Sequence, residues 1–256
     1  MDTESIGSIL EELIPSSLAE SWDNPGWQLR IPKQMVTGVL LTLDVTPEVV
    51  TEAKKLGCNL LFSHHPMLFK PLKTLDLAGT TGSLVGQLIR LGISAWSAHT
   101  NLDVVPWGTS AALADALGLS DVSATPFGFG AVGSLPSPMS TVGIARDAAA
   151  KLSSALCQVA GDPSRRHQRV AVMGGSGGSF LPEVMKSEAT LFITADVRYH
   201  EAQEAVARGL DLVILDHFAT ERPVLETVQR RLSERLPDVP VLISTVPSTP
   251  YVRVTL

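Results

Sequence analysis

Leu60-Leu61-Phe62-Ser63 is an apolar run that ends in His64-His65-Pro66. Val/Leu/Phe-rich runs bounded by turn signals read as buried strands, and the residue before a proline is pushed to extended geometry. His65 is therefore expected to leave the strand still extended. Successive strand residues face opposite ways, so two adjacent imidazoles at a strand exit can reach two neighbouring points. That suits two metal ions better than one. Taken alone, the pair is equally compatible with two core or surface histidines that bind nothing.

Two further apolar runs end in the same way. Gly92 to Ala98 leads into His99-Thr100-Asn101-Leu102-Asp103, and Leu212 to Leu215 leads into Asp216-His217-Phe218-Ala219-Thr220-Glu221. His217 and Glu221 stand at i and i+4, so the first turn of a helix would put both on one side. Imidazole nitrogen with carboxylate oxygen suits zinc, manganese or iron, and a carboxylate such as Asp103 can bridge two ions. Each acid also has an ordinary reading: Asp103 can cap a turn, and Glu221 can favour the positive end of its helix. His99, at a strand exit near these groups, suits a general acid or base, a residue that orients a ligand, or a plain hydrogen-bonded histidine.

The elements that must position these groups follow from hydrophobic periodicity. Ile6, Ile9, Leu10, Leu13 and Ile14 repeat at helical spacing up to Pro15, and Ser21 to Gly26 is turn chemistry. Val36 to Asp44 reads as a strand. Thr46-Pro47-Glu48 opens a helix with a cap and a first-turn proline, and Gly57 closes it. The strand carrying the histidine pair follows at once, which makes a βαβ unit with parallel strands. Helices are expected over 82–91 and 108–117, and the Gly/Pro-rich stretch Ala124 to Pro138 reads as a connection between domains. Beyond it come a helix over 144–156, a strand over 169–173, a helix over 180–187, a strand over 189–194 and a helix over 200–208. A strand over 212–215, a helix from Val224 to Leu236 and short strands over 241–245 and 251–256 complete the pattern. The fold class is α/β, with two lobes of mixed sheet. If His217 and Glu221 share a rim with His64 and Asp103, residues 1–124 and 212–256 form one discontinuous metal-binding domain. Residues 125–211 are then an inserted second α/β domain.

Bulk properties narrow the function. The chain has 256 residues, 45% of them hydrophobic, enough for a substantial core. Its net charge of -6 disfavours a broad polyanion-binding surface, so a nucleic-acid partner is not expected. Two distant cysteines without a CxxC point to a reducing cytoplasm, and both are expected in the core. The start Met1-Asp2-Thr3-Glu4 lacks the basic-then-apolar pattern of a signal peptide, and no apolar run reaches spanning length. The run Gly174-Gly175-Ser176-Gly177-Gly178-Ser179 lies between a strand and a helix, where backbone N–H groups can hold phosphate. It lacks the P-loop lysine and the full GxGxxG spacing, and a tight turn without ligand is the better reading. His167, in Ser164-Arg165-Arg166-His167, reads as solvated loop.

Several motifs together resemble those of the Nif-three-like proteins, also known as GTP cyclohydrolase I type 2 homologues or dinuclear-metal-centre proteins. They are Trp22-Asp23-Asn24-Pro25-Gly26, His64-His65-Pro66, His99 to Asp103, Gly133-Ser134-Leu135-Pro136, Gly174 to Gly178, Thr194 to His200 and His217 to Glu221. The resemblance covers nearly the whole chain. It implies a dinuclear site, two divalent ions per chain, with His64, His65, Asp103, His217 and Glu221 as ligands. It also implies a toroidal homohexamer with its sites facing inward. His99 is expected near the metals, as the candidate catalytic residue; His200, which matches the family motif, reads equally as a cleft-lining residue or not. The sequence departs at Asp216-His217, where many members have glycine before the histidine, and at Thr194-Ala195-Asp196, where many have Thr-Gly-Asp. Both departures spare the ligands. The expected activity is hydrolysis of a small molecule, a nucleotide or phosphate ester, with a non-enzymatic metal-binding assembly protein as the competing class.

Overall fold

The computed structural model describes residues 1–247 and 249–252. It divides into two compact units, Met1–Val105 with Leu225–Ser248, and Pro106–Val224 with Thr249–Leu256. The chain enters the first unit with α1 (Thr3–Leu13), β1 (Gly26–Leu29), β2 (Val39–Thr42) and α2 (Pro47–Leu56). It goes on through β3 (Leu60–Ser63), α3 (Thr80–Leu91), β4 (Ser94–Ser97) and α4 (Thr100–Val104). The second unit starts with α5 (Thr109–Leu117), β5 (Ser120–Ala124), β6 (Ala131–Ser140), α6 (Thr141–Lys151) and β7 (Cys157–Ala160). There follow β8 (Arg166–Ser176), α7 (Leu181–Val184), β9 (Leu191–Ala195), α8 (Tyr199–Ala207), β10 (Asp211–Leu215) and α9 (His217–Glu221). Then come α10 (Val224–Arg235) and β11 (Val241–Ile243), the latter back in the sheet of the first unit.

The first unit is built on a five-stranded sheet, β1-β4-β3-β2-β11, parallel except for β1 at its edge. Parallel strands need covered faces, and β2 and β3 are buried along their whole length. The α2 connection carries the expected signals. Thr46 accepts from Val49 N at 3.3 Å, Pro47 opens the helix, and Gly57 closes it at φ +73. On one face Leu40, Leu61 and Ala95 pack with Val49, Val50 and Ala53 of α2 and Leu84 and Leu88 of α3. Cys58 belongs to this core.

The second unit has a six-stranded mixed sheet, β5-β6-β8-β9-β10-β7. Its central strands show period-two alternation with both faces buried. Val170, Val172, Leu191, Ile193, Val213 and Leu215 pack against α5 and α6. Ala171, Met173, Phe192, Leu212 and Ile214 pack against α7 and α8.

The sequence-based boundaries move for identifiable reasons. Ala124 to Pro138 is not a linker: Ala131 to Ser140 form β6, which pairs with both β5 and β8. Pro136 and Pro138 fall where the register with β8 slips, between Ser134 and Met139, so no ladder donor is missed there. The expected domain division at 124/125 and 211/212 is replaced by one at 105/106 and 224/225. The reason is strand pairing: β5 bonds to β6, and β10 lies between β9 and β7. His217 and Glu221 therefore belong to the second unit, not to the unit carrying His64. Edge strands β1, β5 and β7 were not anticipated. The strand expected over 251–256 falls largely outside the described residues. Among the described residues no helix is long and apolar enough to cross a membrane.

Candidate metal centre

In the first unit the exits of β3 and β4 bring three imidazoles together. The parallel ladder continues past β3, since His64 N donates to Thr42 O at 3.1 Å and His65 N to Leu43 O at 2.8 Å. Both histidines are thus fixed by backbone before Pro66 ends the pairing. His99 precedes α4, where its N–H is held by Asn101 Oδ1 at 2.9 Å, and buried Asn101 donates in turn to Ile14 O. One ring nitrogen from each of His64, His65 and His99 lies within 4.8 Å of the others. Ring centroids are 5.0 Å apart for His64 and His65 and 5.3 Å for His64 and His99. Asp103, in α4, places Oδ1 3.7 Å from His64 Nε2.

In the second unit α9 delivers His217 and Glu221 from the end of β10. Asp216 caps this helix, accepting from Ala219 N at 3.1 Å. His217 Nε2 and Glu221 Oε1 are 3.0 Å apart, as the i, i+4 spacing predicts. The glycine run lies against this pair. Gly175 has φ +68, and a Cβ there would overlap Glu221 Oε1 and crowd His217. Gly175 N also donates to Thr220 Oγ1 at 3.0 Å. Glycine is required here for close approach of two side chains; the run is not the expected tight turn, because Gly174 to Ser176 continue β8 where its register with β9 shifts.

A feature missed in the sequence is shared by all four histidines. Each Nδ1 is held by an oxygen acceptor: His64 by Ala98 O at 2.8 Å and His65 by Asp44 Oδ1 at 2.8 Å. His99 is held by Asp23 Oδ1 at 2.9 Å and His217 by Asp196 Oδ2 at 2.6 Å. A carbonyl oxygen can only accept, so His64 Nδ1 carries the proton and its Nε2 presents a lone pair. Ionised carboxylates impose the same tautomer on the others. Burial pushes the Asp23 carboxyl up, but hydrogen bonds from His99 and Thr100 outweigh it and hold the group low. At Asp196 burial is likewise outweighed, by hydrogen bonds from His217 and Ser176. Asp196 sits at φ +48, a left-handed conformation that Asp tolerates better than most residues.

This arrangement tests whether the residues suit a metal. Metal-binding histidines commonly donate their second nitrogen to a carboxylate or carbonyl, which fixes the ring and raises its basicity. With Nδ1 protonated, the Nε2 lone pairs of His64 and His217 face the carboxylates of Asp103 and Glu221. Two acceptors repel unless a cation or proton lies between them. The donor set of imidazole nitrogen and carboxylate oxygen fits zinc, manganese or iron.

Other residues singled out from sequence lie elsewhere. His200 is exposed on α8 and bonds to Gln203 Oε1 at 3.1 Å. His167 is not solvated loop. It is buried in β8 against Thr141, Thr190 and Asp211 Oδ2, the last at 3.2 Å, and burial pushes its pKa down. Cys157 is exposed on the edge strand β7 rather than in the core, because that strand's faces are uncovered.

Comparison with known proteins agrees with the resemblance read from the motifs. The family Duf34/NIF3 (NGG1p interacting factor 3) matches residues 1–250. A Clostridium perfringens protein named GTP cyclohydrolase 1 type 2 homolog is 32% identical over 259 residues, covering 98% of this chain and 99% of the relative. A Streptomyces coelicolor protein of the same name is 38% identical over 238 residues, covering 88% of this chain and 83% of the relative. The crystal structure of Staphylococcus aureus hypothetical protein SA1388 superposes with a TM-score of 0.93 at 27% identity, covering 99% of each chain. With this match over nearly its full length, the chain belongs to the Duf34/NIF3 family.

Proposed function

We propose that the protein is a metal-dependent hydrolase that holds two divalent ions through His64, His65, Asp103, His217 and Glu221 and acts on a small molecule. The observation that carries this reading is His217. Its Nδ1 is 2.6 Å from the Asp196 carboxylate and its Nε2 3.0 Å from that of Glu221, a pair of ligand atoms that one bound cation would satisfy. Bound ions of this kind polarise substrate oxygens and lower the pKa of water. The protein's own part is to fix the ring planes through Ala98 O, Asp44 and Asp196. His99, held by Asp23, is positioned to move a proton at its Nε2 atom.

The relatives named GTP cyclohydrolase 1 type 2 homolog support a nucleotide substrate and, more narrowly, hydrolytic opening of a purine ring with loss of formate. The family resemblance supports assembly as a toroidal homohexamer, and the cysteine usage a cytoplasmic location. The test is turnover of a panel of nucleotides and phosphodiesters by protein reconstituted with zinc, manganese or iron. Turnover that is abolished by chelation and restored by metal supports the proposal. Full metal loading without turnover on any substrate favours a metal-binding scaffold instead.

A further inference from the structure

Trp22 and Phe69 stand exposed beside His99, at 58% and 42% of their surface. The ring centroids of Trp22 and Phe69 are 6.0 Å apart, and they lie 6.1 Å and 6.0 Å from His99, all three pairs edge to face. Exposed aromatic side chains in loops usually wander. These two are held by a closed set of hydrogen bonds between their segments. Asn24 Nδ2 donates to Leu68 O at 2.7 Å, Leu68 N donates to Gln28 Oε1 at 3.0 Å, and Gln28 Nε2 donates to Asn24 O at 2.7 Å. Asp23, next to Trp22, binds both His99 Nδ1 and Thr100 N. The backbone beside each ring is thereby fixed relative to the other ring and to His99.

Leaving large aromatic faces in water forgoes hydrophobic stabilisation, and pinning them there is the arrangement expected of a pre-formed recognition surface. Its position decides what it recognises. The rings border His99, and His99 is grouped with His64 and His65. Exposed aromatic ring faces beside reacting groups suit a planar ring belonging to the reactant, which can stack on one ring and meet the edge of the other.

We propose that Trp22 and Phe69 form a stacking platform for the heteroaromatic ring of the substrate, a nucleobase or a ring of similar size, and so present the reactant to His99. The proposal rests on the reading of the His64, His65, His99 and Asp103 group as the reacting centre, and it names the substrate class for that centre. Stacking tolerates any base, so the platform selects ring-bearing molecules over ring-free ones without reading base identity.

The test uses guanosine monophosphate and ribose 5-phosphate as probes of the full-length protein by calorimetry, with and without zinc. The wild type should bind guanosine monophosphate about ten-fold or more tightly than ribose 5-phosphate. Trp22→Leu and Phe69→Leu should each remove about ten-fold of that affinity while leaving ribose 5-phosphate unchanged. Trp22→Phe, which keeps a ring, should retain most of it. Equal binding of the two probes by the wild type, or a Trp22→Leu loss shared equally by both, overturns the platform. Zinc content by elemental analysis separates this from the metal reading. A wild type that takes up zinc but shows no ring preference refutes the platform alone. A wild type that takes up none of zinc, manganese or iron, while Trp22→Leu still loses guanosine monophosphate affinity, keeps the platform and refutes the metal centre.

Discussion

Asp23→Ala should destabilise the first unit by about 3–5 kcal/mol at pH 7, and the figure follows from what its carboxylate holds. The side chain is fully buried. It accepts from His99 Nδ1 at 2.9 Å, from Thr100 N at 3.0 Å and from the Thr100 hydroxyl. Hydrogen bonds to an ionised group contribute roughly 1.5–3 kcal/mol each. The three share one acceptor group and are not additive, so the sum is held to the range seen when a buried pair is broken. Asp23→Asn keeps an acceptor but no charge, and should lose about half as much. Denaturant unfolding followed by tryptophan fluorescence is a suitable assay, because Trp22, Trp27 and Trp96 all lie in the first unit. The stabilisation is also pH-dependent. The folded carboxyl titrates below its unfolded value, so its contribution is complete above about pH 4 and is lost as pH falls further. The gap between wild type and Asp23→Ala should therefore narrow in acid. A loss under about 1 kcal/mol, the worth of an exposed pair, or a gap that widens in acid, would refute the reasoning.

Asp196→Ala removes the carboxylate that orients His217, and metal affinity should fall about 10–100-fold by competition titration with a chelator; unchanged affinity would make Asp196 merely structural. Gly175→Ala places a Cβ at φ +68 against Glu221, so thermal stability and metal affinity should fall together, and a variant with normal values of both would show that the close approach is dispensable. His99→Ala should leave metal content nearly intact while lowering kcat by about 10²–10⁴-fold. Metal lost in proportion to activity would instead make His99 a ligand.

The rhythm of strands and helices was legible because the buried strands are short apolar runs closed by turn residues. Thr46, Pro47 and Gly57 announce α2, and Leu60 to Ser63 lead unbroken into the histidine pair. The candidate ligands stood out because each follows such a run. Asp44 and Asp196 follow apolar runs in the same way, Val39 to Leu43 and Leu191 to Ala195, so the signal that revealed His64 was available for them too. What could not be read is which imidazole each acid would meet, since that depends on contacts between residues distant in sequence. Strands β5 and β7 escaped because they are short, exposed edge strands without apolar alternation. The division into units escaped for a related reason. Whether β10 joins the first or the second sheet is settled by hydrogen bonding to β9 and β7, which hydrophobic pattern does not encode.

The most direct measurement is elemental analysis of wild type and the His64→Ala/His65→Ala variant, each reconstituted with zinc, manganese or iron and dialysed free of excess. The account predicts two divalent ions per chain in the wild type and loss of most of that metal in the double variant, with the fold retained by circular dichroism. A wild type that keeps no more than trace metal under all three conditions, or a double variant that keeps the full complement, would contradict it.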